Sequence, residues 1–204
     1  MRGVKLPAFR ALLLAAVLAI PESAPAIELH LQSVKSSYRS GESPVVRVLA
    51  VNPVTSPAAQ YLKRNFRLVP FSSPMDGDLA LFIEVKGPDG VVLERTKAMV
   101  ILVRMQTTPL MFQRLRVGEV FGEEIALDGP GLEYKMTKPG TYSVIASLSS
   151  SSPREWFDRW SSSNPGAKPE FGRDELFEGP VFAGPLKVVV TDATPSPLTK
   201  DRHR

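Results

Sequence analysis

Few residues in this chain are equipped for chemistry. It has 204 residues, no cysteine and 2 histidines. The missing cysteines exclude thiol nucleophiles, thiolate metal sites and disulfide scaffolds. A Ser-His-Asp triad needs an imidazole to take the serine proton. His203 is the penultimate residue, and His30 alternates with Glu28 and Gln32 along a short periodic segment. That is the position of a solvated strand histidine rather than a ligand or base. Carboxylates pair at Glu123/Glu124, Asp174/Glu175 and Asp76-Gly77-Asp78. Neighbours on a strand point to opposite faces, so the first two pairs diverge. Asp76 and Asp78 could share a calcium ion, but calcium takes about 6–8 oxygens and nothing nearby completes that set. The thioethers of Met99, Met105, Met111 and Met136 suggest a methionine-based copper carrier. Such sites also hold histidines, which this stretch lacks, and methionine is an ordinary filler of irregular cores. No phosphate-cradling glycine loop precedes a helix. The expectation is a chain with no catalytic residue, no metal and no cofactor.

The most distinctive stretch runs from Ser147 to Gly179. Serine-rich runs flank Trp156-Phe157-Asp158-Arg159-Trp160, which holds both tryptophans of the chain. On a helical turn Trp156 and Trp160 share one face. Trp156, Phe157 and Trp160 are therefore the candidate binding surface: aromatics on a loop can stack on a glycan or form a protein hot spot. The same rings could instead close an open end of the domain, since large aromatics are mostly buried. A weak hydrolase would draw on Asp158, Asp174 or Glu175 beside this flap.

The elements that position these residues read as β. The 19 prolines and 14 glycines are scattered and cut the chain into short apolar runs. Ile27 to Gln32 alternates strictly, with Ile27, Leu29 and Leu31 inward. Strands are expected at 44–52, 66–69, 79–86, 99–104, 112–116, 120–127, 141–146 and 181–191, with Ile125 and Leu127 pointing one way. Turns fall at 38–42, 87–90, 117–119 and 138–140, and Val91 to Glu94 returns from its turn as a hairpin. Residues 61–65 read as a short helical turn, and 154–160 as the one helical stretch.

Both ends differ from the middle. Residues 1–26 read as a secretory signal peptide: Arg2, Lys5 and Arg10 precede the apolar run Ala11 to Ile20, and Ala24-Pro25-Ala26 offers small residues for cleavage. Residues 193–204 read as a disordered tail. The chain's formal charge is +4, but residues 27–194 carry 19 basic and 19 acidic side chains. A nucleic-acid partner needs concentrated cationic charge and is not expected. No segment after the signal is long and apolar enough to span a membrane.

Tyr38…Gly41-Glu42 before a β-branched strand ending at Asn52, then Val85-Lys86-Gly87-Pro88-Asp89-Gly90, then Pro139-Gly140-Thr141-Tyr142, together resemble bacterial secreted immunoglobulin-like and fibronectin-III-like domains. That resemblance implies an all-β fold over residues 27–192, a single antiparallel Ig-like β-sandwich with a loop insertion before the last strand. It also implies that the Tyr142 hydroxyl is buried and bonds back to upstream backbone. Fold motifs imply no activity. The resulting expectation is an exported module, periplasmic or extracellular, non-catalytic, meeting an unknown protein or glycan partner through loops or edges. A carbohydrate-interacting module or weak hydrolase at the Trp156–Trp160 flap is the alternative, and the copper carrier a third.

Overall fold

In the computed structural model the alternation beginning at Ile27 forms β1 (Glu28–Ser33), with Ile27 and Leu29 buried and His30 exposed. The structure describes residues 27–64, 67–68, 79–95, 107–150 and 152–192. The expected signal peptide, the 99–104 strand, Asp76, Asp78, Met99, Met105 and the tail lie outside them. The fold is mostly β. After β1 come β2 (Tyr38–Arg39), β3 (Val45–Val51), β4 (Gln60–Lys63), β5 (Arg67–Leu68), β6 (Leu79–Lys86), β7 (Phe112–Leu115), β8 (Val120–Ala126) and β9 (Gly140–Ser150). The helix α1 (Pro153–Ser163) and β10 (Val181–Thr191) follow.

Three sheets result. Strands β1, β3 and β8 form an antiparallel sheet in that order. A five-stranded sheet runs β2-β10-β9-β6-β5, and β4 and β7 form a two-stranded ribbon. One core cluster takes Ile27, Val46, Val48 and Ile125 from the first sheet and Leu81, Ile83, Val144, Leu148 and Val188 from the second. The two sheets thus bury their inner faces in a common interior, the arrangement that alternating strands favour.

The sheets are mixed, which corrects the expectation of a purely antiparallel arrangement. Strand β2 pairs in parallel with β10, and β5 in parallel with β6. The chain leaves the first sheet after β1 and touches the edge of the second for two residues. It then returns as β3, so β2 runs alongside β10. Tyr38 and Arg39, read as part of a turn, are that two-residue strand. Val91–Glu94 returns as expected, as a short hairpin arm: the Gly87 N–H donates to the Val91 carbonyl and the Leu93 N–H to the Val85 carbonyl (both 2.8 Å), with Lys86 bridging Val92 in antiparallel sense. The long insertion starts only after Ser150, because β9 continues to that residue.

The short helical turn expected at 61–65 is instead strand β4. Its physical reason is that both faces of the β4–β7 ribbon are covered. Leu62 and Leu115 point into the main core, whereas Tyr61 and Phe112 point the other way into a second cluster with Trp156, Phe171 and Leu176. Adjacent buried residues on opposite faces are what a strand supplies and one helical face does not. Among the described residues no helix is long and apolar enough to cross a membrane.

Candidate functional site

The helix that carries the candidate aromatics is short but well seated. Pro153 opens it at a position where a missing N–H costs nothing, and Nδ2 of Asn164 donates to the Trp160 carbonyl at its end (2.8 Å). Its apolar stripe lies against the β4–β7 ribbon. Trp156 is only 6 % exposed. Its ring stacks on Phe112 with centroids 4.7 Å apart and lies 6.4 Å from Trp160, and its indole N–H donates to the Thr107 carbonyl (3.3 Å). Trp156 therefore has no face free for a ligand. Phe157 and Trp160 are half-buried around the same cluster, Phe157 lying 6.1 Å from Phe171. The geometry is that of a small second core closing over the ribbon.

The acidic candidates beside this flap are engaged by a surface arginine or by backbone. Both carboxylate oxygens of Asp158 accept from Nε of Arg173 at 3.1 Å. Asp174 lies 3.7 Å from the same guanidinium, and Glu175 accepts the Gly172 backbone N–H (2.6 Å). Asp158 and Asp174 thus share one guanidinium, while Glu175 is engaged by backbone. Glu124 of the sequence-adjacent pair Glu123/Glu124 pairs with Arg47. His30 and Glu28 contact each other at 3.1 Å in the open. Met136 is buried in the main core, the packing role open to a methionine, while Met111 is half-buried in a separate 3-10 turn. Among the described residues no three or more histidine, aspartate or glutamate side chains cluster as a metal site.

A different surface stands out, one that sequence reasoning did not single out. The outer face of the five-stranded sheet carries Phe82 (41 % exposed) and Phe182 (69 % exposed). Both register against Ser147 of β9, which places the three in one row across the sheet. With Ile145, Val92, Leu93, Glu84 and Glu94 they line a groove of about 1020 Å³. Two strand spacings separate the phenylalanine backbones, about 9.5 Å. Alternation along β9 brings Ser143, Ile145 and Ser147 to the same outer face, since Tyr142, Val144, Ala146 and Leu148 are buried on the inner one.

Two local devices build this surface. The first is a bulge in β10 between Ala183 and Leu186. It adds one residue, so Phe182 and Lys187, five apart, both face outward and register against Ser147 and Ser143, four apart. Gly184 makes it possible: its φ is +105°, and a Cβ there would meet the Val144 carbonyl oxygen at 2.6 Å. The second device closes the groove's flank. The Ile83 carbonyl on the β6 edge accepts from the Tyr134 hydroxyl (2.6 Å) and from Arg95, whose Nε also donates to the Tyr134 oxygen (2.9 Å). The Arg95 guanidinium lies 5.6 Å from the centroid of that ring. An arginine held this way is a fixed wall rather than a mobile charge.

The corner tyrosine sits at the base of the same strand. The Tyr142 hydroxyl donates to the Lys138 carbonyl (2.8 Å) and accepts from its N–H (3.2 Å). Burial pushes its pKa above the ordinary value, against the hydrogen bond from Lys138, with Asp89 raising it further.

No protein-family model matches this chain, and no curated protein matches it in sequence.

Proposed function

We propose that the chain is an exported Ig-like β-sandwich of the cell envelope, periplasmic or extracellular, that binds a partner without transforming it. The observation that carries this reading is the groove of about 1020 Å³ on the outer face of the five-stranded sheet, rimmed by two exposed phenylalanines. Contiguous exposed apolar surface with a few polar groups is the mark of an interaction site. At the flap Asp158 and Asp174 are both paired with Arg173, which favours a structural role for these carboxylates over general acid–base work. The N-terminal 26 residues, read as a signal peptide, support export.

The test is binding by the purified protein to wall-polysaccharide and envelope fractions, beside the double variant Phe82→Ala/Phe182→Ala. Saturable binding without product, lost in the double variant while its circular dichroism is unchanged, supports the reading. Equal binding by both proteins overturns the choice of surface. The half-exposed Phe157 and Trp160, which lie side by side on α1, then become the second site. A Trp160→Ala variant would test them.

A further inference from the structure

We infer that the outer face of the five-stranded sheet takes an acidic polysaccharide, stacking its sugar rings on Phe82 and Phe182 and seating a carboxylate at Lys86 and Lys187. This rests on the reading of that face as the binding surface and adds the chemical class of its ligand. The register that aligns Phe182, Ser147 and Phe82 also aligns Lys187, Ser143 and Lys86 in a second row. Four residues of β9 separate the rows, about 13 Å. An aromatic pair thus stands at one end of a strip and a lysine pair at the other; between them lie Ser143, Ile145 and Ser147 of β9 and, registered against Ile145, the exposed Glu84 of β6.

Each part has a matching feature in a uronate-bearing glycan. The apolar C–H face of a pyranose packs on an aromatic ring. Serine hydroxyls both donate and accept, as sugar hydroxyls require. Lysine ammoniums attract a carboxylate as point charges and adapt to its position. Lys187 is exposed and has no ion-pair partner among the described residues, whereas Lys86 lies 3.6 Å from Glu84. Glu94 is exposed on the groove's flank, and Arg95 is held by Ile83 and Tyr134. Lys187 is therefore the point where an anionic group is favoured, with Lys86, already shared with Glu84, beside it in the same row. A peptide adding itself as a strand is disfavoured, because β9 already pairs on both sides, with β10 and with β6. A ligand here must be held by side chains.

The experiment measures affinity by titration calorimetry for three probes: polygalacturonate, the same polymer methyl-esterified to neutrality, and poly-L-glutamate. The proteins are the unmodified chain, Phe82→Ala/Phe182→Ala and Lys86→Gln/Lys187→Gln, each checked for folding by circular dichroism and urea midpoint. The expected result is binding to polygalacturonate that weakens about tenfold or more with esterification and in each double variant, the size of losing a hot-spot contact. It should also weaken as salt is raised. Equal affinity for the esterified polymer overturns the acidic class and leaves the binding face intact. Equal or tighter binding of poly-L-glutamate, indifferent to the phenylalanine variant, overturns the glycan in favour of a bare polyanion or acidic peptide. No binding of any probe overturns the inference. The reading of the face itself then stands or falls with the envelope-fraction comparison.

Discussion

The two aromatic regions of this molecule make opposite uses of the same side chains. Around Trp156 the rings meet each other: Phe112, Trp156 and Phe171 are buried within a few ångströms of one another and cover one face of the β4–β7 ribbon. On the outer sheet face Phe82 and Phe182 stand two strands apart, with only Ser147 between their backbones. Sequence density pointed at the first region, since both tryptophans fall within five residues. Density of aromatics is a sign of mutual packing as much as of recognition. Isolated aromatics held apart by the pleat of a rigid sheet cannot satisfy each other, and that separation is what leaves them open to a ligand.

The contrast is sharpest for truncation of one ring in each region. Trp156→Ala removes a ring stacked on Phe112 and an indole N–H bonded to Thr107. The expected loss of stability is about 3–5 kcal/mol, the usual cost of deleting a buried large aromatic. Urea unfolding followed by circular dichroism measures it. The remaining Trp160 fluorescence should also shift to the red, as the cluster opens to water. A loss below about 1 kcal/mol would mean the flap is not a core at all, and would return Trp156 to the list of candidate contacts.

Phe182→Ala is the matching change on the open face. The ring is mostly solvent-exposed, so stability should move by no more than about 0.5 kcal/mol, while binding to the envelope fraction falls. A destabilisation as large as that of Trp156→Ala would show that Phe182 is covered, and the contrast between the two regions would collapse.

Tyr142→Phe probes the scaffold beneath the open face. It removes a hydroxyl that both donates to and accepts from Lys138, for an expected loss of about 1 kcal/mol by urea unfolding. Because burial raises the pKa of this phenol, the folded state holds the proton more tightly than the unfolded chain. The resulting stability is fully present below the unfolded pKa and is lost as pH rises through the folded one. The variant should therefore lose part of the alkaline fall-off in stability seen in the unmodified protein. Identical alkaline slopes would show that the hydroxyl is not held as described.

How far each region could be read from sequence follows from what each depends on. The inward alternation of Ile27 and Leu29, the pairing of Ile125 with Leu127 and the buried Tyr142 hydroxyl were legible, because they depend on a local period or a short turn. Residues 61–65 misled because a doubly covered ribbon buries neighbours rather than alternate residues, a pattern shared by short helical and strand segments. Phe82, Glu84 and Lys86 alternate plainly, and their common face could have been noticed. Phe182 and Lys187 could not have been paired in this way. Five residues apart, they belong to opposite faces of a regular strand, and only the bulge at Gly184 brings them together. The proposed site was thus hidden by register, a property of the paired strands rather than of either one.

The smallest expected effect lies at the sheet edge where β2 joins β10, away from both aromatic regions. Glu42 accepts from the Lys35 ammonium and from the Arg39 backbone N–H (3.0 Å), and these hydrogen bonds hold its carboxyl below the ordinary value of 4.5. A lowered carboxyl pKa means that the unfolded chain takes up the proton first as acid is added. The contribution is present above pH 4.5 and is lost as pH falls through the folded value. Glu42 lies at the surface, partly exposed beside the exposed Lys35, so solvent screens the interaction and the effect is small. Glu42→Gln should leave neutral-pH tryptophan fluorescence unchanged, since both tryptophans sit in the second core, and should flatten the acid limb of stability measured by circular dichroism. If fluorescence moves with the substitution, the sheet edge and the aromatic cluster are coupled. The two regions would then have to be treated as one cooperative unit rather than as a packed core and an independent open face.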